Sequence, residues 1–354
     1  MAESIDWGLA EQVARRVSGS DPFADSYHRL GLERDFAEFT ERAQFYVESE
    51  TGLRSQAGPA RARVVDRIDW VRANLASYQR LLRPMLRRME QQLGGPLSLV
   101  SNKIAGAELG ALLGWMSTRV LGQYDLLVLE DEDPEDQDLV YYVGPNILSL
   151  EKRHSFPPGE FRLWVALHEV THRTQFTGVP WLRGHFLGLV DQLVGANDPD
   201  PARIFTAVGR VAEAVRTRTN PLSDGGVAGL FASSEQLEVM EQVGGLMSLL
   251  EGHGDVTMDR AAASEIPSQE RFARVLRARR QQANVATRLL QQIIGMEAKL
   301  AQYEQGERFI EEVERSAGPA TVQRAFEGPE MLPSLAEIRD PSLWLRRLGV
   351  SHAA

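Results

Sequence analysis

The run His168-Glu169-Val170-Thr171-His172 constrains this chain more than any other stretch. Two histidines four residues apart on a helix project from one face and can share one metal ion. A glutamate beside the first histidine then faces the ion's open position, where it can take a proton from water. Such a pattern requires a helix, and the flanking residues predict one. Phe161, Leu163, Trp164, Val165, Ala166, Leu167 and Val170 make an almost wholly apolar run, suited to a helix buried inside a domain. Ser155 is the expected N-cap, and Pro157 and Pro158 fit a first turn that needs no backbone donors. Gly178 and Pro180 are stop signals at the far end. Two histidines and a glutamate on a buried helix must all be satisfied, and a metal satisfies them together. The competing reading is a core helix whose histidines are simply hydrogen-bonded.

A catalytic zinc usually takes three protein ligands and leaves its fourth position to water. Glu251, in Leu250-Glu251-Gly252-His253-Gly254-Asp255, is the first candidate for the third ligand. It falls near the end of a helix predicted over residues 235–250, with Ser233 or Ser234 as cap. Gly244, Met247, Glu251 and Asp255 share one face of that helix, and Gly244 and Gly245 open it to close approach by another. Asp255 is spaced to accept the second ring hydrogen of a ligand histidine. His185 is the rival third ligand, or a group near the pocket wall. His253, Tyr303 or an arginine are the candidates for holding an oxyanion. Glu-x-x-x-Asp after the histidine helix resembles the gluzincin branch of the zinc peptidases. Nothing following His172 supplies the glycine and histidine of the metzincin pattern.

Longer stretches carry a wider resemblance. Tyr142-Val143-Gly144-Pro145-Asn146, Phe161-Arg162-Leu163-Trp164, Gln175-Phe176 and Val179-Pro180-Trp181-Leu182 are similar to a bacterial zincin-like family of hydrolases. Members of that family are also described as associated with biosynthesis of the deazaflavin coenzyme. The resemblance continues through Leu250 to His253, Met258-Asp259, Lys299 to Tyr303, Leu332-Pro333 and Trp344. It implies a zincin-type fold and a zinc-dependent metalloprotease. Within it His168 and His172 match the metal histidines, Glu169 the catalytic glutamate and Glu251 the third ligand. Gly254 departs from the gluzincin pattern, which more usually has a small aliphatic residue there.

A chain of 354 residues suffices for one large domain or two closely packed ones. The expected division is an N-terminal helical segment over 1–60 and a zincin-like domain over 61–354, or one continuous domain. A net charge of −10 argues against a nucleic-acid partner. The absence of cysteine excludes disulfides and thiolate metal sites. Residues 1–10 do not read as a secretory signal, and no long uncharged apolar run suggests a membrane span. A cytoplasmic protein is therefore expected. All basic residues except Lys103, Lys152 and Lys299 are arginine, for which coding bias is the simplest account.

Elsewhere, Val65, Ile68, Val71, Leu75, Leu81, Leu82 and Met85 recur at helical spacing, with Pro84 expected to kink or divide the region. Residues 104–120 predict another helix. Residues 124–129 and 139–143 read as strands joined by a solvated acidic loop over 130–138, with 146–150 as a further strand. Helices are expected at 183–195, 202–217 and 283–309, and an arginine-rich one over 271–280, where Glu270 and Arg274 could pair. The predicted class is mainly α with a small β-sheet (α+β), a zincin-like metalloprotease fold. Its sheet would lie over the metal helix and offer an edge strand to an extended peptide.

The expected activity is amide hydrolysis, most naturally of a peptide bond, with one zinc ion held by His168, His172 and Glu251 and with Glu169 as general base. Two alternatives remain open on sequence alone. One is a non-catalytic zincin-fold protein that binds a peptide or partner. The other is hydrolysis of a small glutamyl-type amide linked to deazaflavin metabolism.

Overall fold

The computed structural model describes residues 5–23, 26–92, 96–126, 137–195, 234–261, 263–281 and 296–350. The described chain is mainly helical with one three-stranded sheet, as the sequence predicts. It divides into two compact units. The first comprises residues 1–178 and 260–272, and the second comprises residues 179–259 and 273–354.

The first unit opens with helices α1 (Trp7–Ser18) and α2 (Leu32–Thr51), then strand β1 (Arg61–Val65). Helices α3 (Arg67–Gln92) and α4 (Pro96–Ser117) lead to strands β2 (Gly122–Tyr124) and β3 (Leu139–Val143). Helices α5 (Gly144–His154) and α6 (Pro158–Gly178) follow. The sheet order is β1-β3-β2, with β3 parallel to β1 and antiparallel to β2. In this register Val65 lies opposite Val143, and Gly122 opposite Tyr142. All five residues of β3 are buried, as suits a central strand covered on both faces.

Several elements differ from expectation. Residues 61–65 form a strand, where helical spacing predicted helix. The switch is local: the Asp66 carboxylate accepts from the backbone N–H of Ile68 and Asp69, both at 2.8 Å, and so starts α3. That helix then runs through Pro84 as a single element. Residues 146–150, expected as a strand, are helical. Pro145 fits the first turn of α5, and the Asn146 amide donates to the carbonyls of Ser117 (2.7 Å) and Val120 (2.6 Å). Ser155, expected to cap α6, instead ends α5 in a left-handed conformation.

Glycines set one helix contact. A Cβ on Gly110 would come within 2.2 Å of the Ala10 carbonyl oxygen, and one on Gly114 within 2.6 Å of the Ala14 oxygen. Helix α1 therefore rests on α4 almost backbone to backbone. Helix α6 packs on α2, and its residues 161–167 are all buried. Arg162 anchors it with two bonds of 2.8 Å to Glu151, together with a contact to Asp35.

Arg173 anchors the other end. Its side chain is fully buried, donating from Nε (3.1 Å) and Nη2 (2.6 Å) to the Asp138 carboxylate and from Nη2 to the Gly58 carbonyl (3.0 Å). Asp138 is thus a buried structural partner, whereas the acidic loop was expected to be solvated; residues 130–136 of that loop lie outside the described residues.

The second unit contains α7 (Leu182–Gly195), most of α8 (Ser234–Ala261) and the later part of α9 (Gln269–Gln281). It continues with α10 (Met296–Ala317), α11 (Pro319–Gln323), α12 (Leu335–Arg339) and α13 (Pro341–Arg347). The predicted helix at 202–217, the loop at 220–229 and residues 283–295 of the helix expected at 283–309 fall outside the described residues. Helices α8 and α10 meet at a glycine pair: a Cβ on Gly252 would lie 2.1 Å from the Gly306 carbonyl carbon. Gly245 likewise lies against the backbone of residues 333–335. The C-terminal helices are fastened by Arg347, which donates to Glu337 (2.7 Å) and to the Glu330 carbonyl (2.7 Å). Arg277 in α9 is 3.7 Å from Glu307, a pairing other than the Glu270–Arg274 one expected.

Removing the charge that faces Arg173 should be costly, because it leaves a buried cation uncompensated. Asp138 has φ 53°, which asparagine tolerates, so Asp138→Asn isolates the charge from the backbone. Urea denaturation should show a loss of about 3 kcal/mol. A loss below about 0.5 kcal/mol would show that the pair is not needed to hold α6.

Candidate metal centre

The motif helix is built as its residues require. From Phe161 to Leu167 helix α6 is apolar except for the paired Arg162, so it is buried before it reaches the histidines. His168 and His172 are the half-buried positions in an otherwise buried stretch from Phe161 to Gln175. Their rings lie 4.7 Å apart between centroids and nearly perpendicular, at 88°. Four-residue spacing on a helix has thus placed both rings side by side on one face.

Glu169 is buried, at 7 % exposure, and lies against strand β2. A Cβ on Gly122 would come within 2.5 Å of the Glu169 Cγ and 2.7 Å of its Oε1. Only a residue without a side chain leaves that space. Tyr142, paired with Gly122 across the sheet, is also close enough to sense this carboxylate. Burial, and to a smaller degree the Glu169 charge, push the Tyr142 hydroxyl far above its ordinary pKa, against the opposing effect of its bond to Thr40. It stays protonated, 2.7 Å from the Thr40 hydroxyl and stacked on Phe36. Tyr142 is therefore a neutral neighbour of Glu169.

Sequence reading missed one partner of the motif. The Oε1 of Gln175, three residues after His172 and itself fully buried, lies 3.1 Å from His172 Nδ1. The i,i+3 spacing was visible in the sequence, but an amide draws less attention than a carboxylate as a histidine partner. Gly122 was missed too, because nothing local to a three-residue strand signals what packs on it.

Helix α8 carries the other candidates. Glu251 and Asp255 are half-buried and one turn apart, on one face as predicted. The helix runs on to Ala261, so both are interior to it and not at its end. His253 is buried edge-on against Phe326, with centroids 5.0 Å apart. Two residues from Glu251, it points to a different side of α8. His185 sits on α7 beside Trp181, 5.8 Å between rings, and burial holds its imidazole below its ordinary pKa. Tyr303 lies in α10, where the side chain is outside those described.

His168 and His172, on α6 in the first unit, and Glu251, on α8 in the second, are each of a type that can ligate a metal ion. Two imidazoles side by side on one helix face, completed by a carboxylate, are a donor set that suits a divalent ion with an open position.

The contact at Gly122 yields a direct test. In Gly122→Ala the atoms in the way belong to the end of a flexible side chain, so the Glu169 carboxylate should move while the fold stays. A crystal structure of the variant should show that carboxylate displaced, with thermal unfolding changed by about 1 kcal/mol or less. An unmoved Glu169 would show that the glycine is not what makes room for it.

Comparisons with known proteins bear on the family and the fold. A family model described as zincin-like metallopeptidase matches residues 5–345. In structure the chain is similar to a provisionally assigned hydrolase with a novel fold from Chloroflexus aurantiacus, known from a crystal structure. That likeness has a TM-score of 0.72 at 29 % sequence identity, covering 98 % of this chain and 99 % of the other. No curated protein matches the sequence significantly. With nearly its whole length matched, the chain belongs to the zincin-like metallopeptidases.

Proposed function

We propose that the chain is a zinc-dependent hydrolase that cleaves an amide bond, most naturally in a peptide. In this reading His168, His172 and Glu251 are the metal ligands and Glu169 is the general base. The observation that carries it is the placing of the His168 and His172 rings side by side on one face of α6, next to a glutamate on the same helix. When bound, the ion would supply Lewis acidity, lowering the pKa of a coordinated water and polarising a carbonyl.

The chain's own residues account for the rest. Glu169 follows His168 directly and lies against Gly122, whose missing side chain leaves room for its carboxylate. It accepts a proton from the attacking water and returns it to the leaving amine, which would otherwise depart as an unstable anion. Protonated Tyr142 near it adds no negative charge of its own. Strand β2 is an edge of the described sheet and lies beside Glu169, which supports an extended substrate bound along it. Asp255, one turn past Glu251, is assigned to orienting a ligand histidine. No helix among the described residues is long and apolar enough to cross a membrane.

Glu169→Gln separates binding from catalysis. The variant should retain its metal while hydrolysis of peptides or γ-glutamyl conjugates falls by roughly a hundredfold or more. Parallel assays of the two substrate classes would assign the amide. Equal turnover by the variant and the parent would contradict the mechanism. Tight peptide binding without turnover, identical in both, would point to a partner-binding protein.

A further inference from the structure

The proposed ligand set leaves open which nitrogen of each histidine faces the ion, and for His172 a contact on the same helix bears on the choice. An imidazole that binds metal through one nitrogen must carry its proton on the other. Whatever accepts that proton fixes the ring's tautomer and rotation together. The Gln175 carbonyl oxygen lies 3.1 Å from His172 Nδ1, and a carbonyl can only accept. We infer that Gln175 is a positioning residue that holds His172 in the Nδ1–H tautomer and so commits Nε2 to the metal.

Three features make this more than a passing contact. Gln175 has no solvent exposure, so water does not compete for its oxygen as it would at the surface. Both residues belong to α6, one turn apart, so the bond survives any movement that keeps the helix intact. The next residue after His172 is Arg173, whose buried contacts to Asp138 and the Gly58 carbonyl fix the backbone from which both side chains project. A neutral amide also differs from a carboxylate in what it does to the ring. It orients the imidazole without adding negative charge, so His172 is left a weaker donor than a carboxylate-paired histidine. This inference rests on the zinc reading only for its consequence; the tautomer itself is a property of the metal-free chain.

Two measurements on the full chain test it separately. In the zinc-free protein, nitrogen chemical shifts of the His172 side chain should report a proton on Nδ1. Gln175→Leu should shift that ring toward the Nε2–H form, while Gln175→Glu should keep the Nδ1 proton. Zinc titrated against a chromophoric chelator should then bind Gln175→Leu roughly 10- to 100-fold more weakly than the parent. Gln175→Glu should bind it at least as tightly as the parent. An Nε2 proton on His172 in the parent protein would overturn the inference. So would unchanged zinc affinity in a folded Gln175→Leu. If that variant does not fold, the ring tautomer in the parent and in Gln175→Glu still decides. If the parent shows the Nδ1 proton yet takes up no zinc, the positioning role stands and the zinc reading fails.

Discussion

Arg173 brings a full positive charge to a position with no solvent exposure, and the surrounding structure is arranged to answer it. Burying an unpaired guanidinium would cost more than most domains have to spare. Its neighbours therefore come from separate parts of the chain: Asp138 just before β3, and the carbonyl of Gly58 just before β1. Both contacts sit at the starts of strands that then pair in parallel. One side chain thereby fixes the two strands against α6, the helix that carries His168, Glu169 and His172. The position of the motif follows from an ion pair one residue beyond it.

Absent side chains do a comparable job. Gly122 lets a strand lie directly on the Glu169 carboxylate, and Gly252 with Gly306 lets α8 and α10 touch backbone to backbone beside Glu251. In each case the residue under control is polar and the residue controlling it has nothing to interact with. A larger residue at Gly122 would act first on Glu169, and one at Gly252 or Gly306 on the backbone of the neighbouring helix. The two ends of α6 show the opposite strategy, with Arg162 and Arg173 tied to buried carboxylates. Arginines that coding bias would explain by themselves include several that hold the scaffold together.

Much of this was legible in the sequence because it depends on local spacing. The motif helix, its near-complete burial, the strand at 139–143 and the shared face of Glu251 and Asp255 all follow from residue order. What the sequence did not reveal depends on long-range contacts. Strand β1 was hidden because Val65 continues an apolar spacing that also fits helix, and the break comes from the cap at Asp66. Residues 146–150 look like a strand in composition, but Asn146 reaches carbonyls at Ser117 and Val120 that no local pattern reveals. Gln175 and Gly122 were passed over for the same reason: their roles exist only once His172 and Glu169 are in place.

The most direct test of the central claim is metal content of the purified full chain, measured beside His168→Ala/His172→Ala and Glu251→Gln. The account predicts about one zinc per chain in the parent protein. It predicts loss of that zinc in the double variant, and weakened retention in Glu251→Gln with the fold intact by circular dichroism. Failure of the parent to take up zinc when it is supplied, or equal zinc in all three proteins, would contradict it.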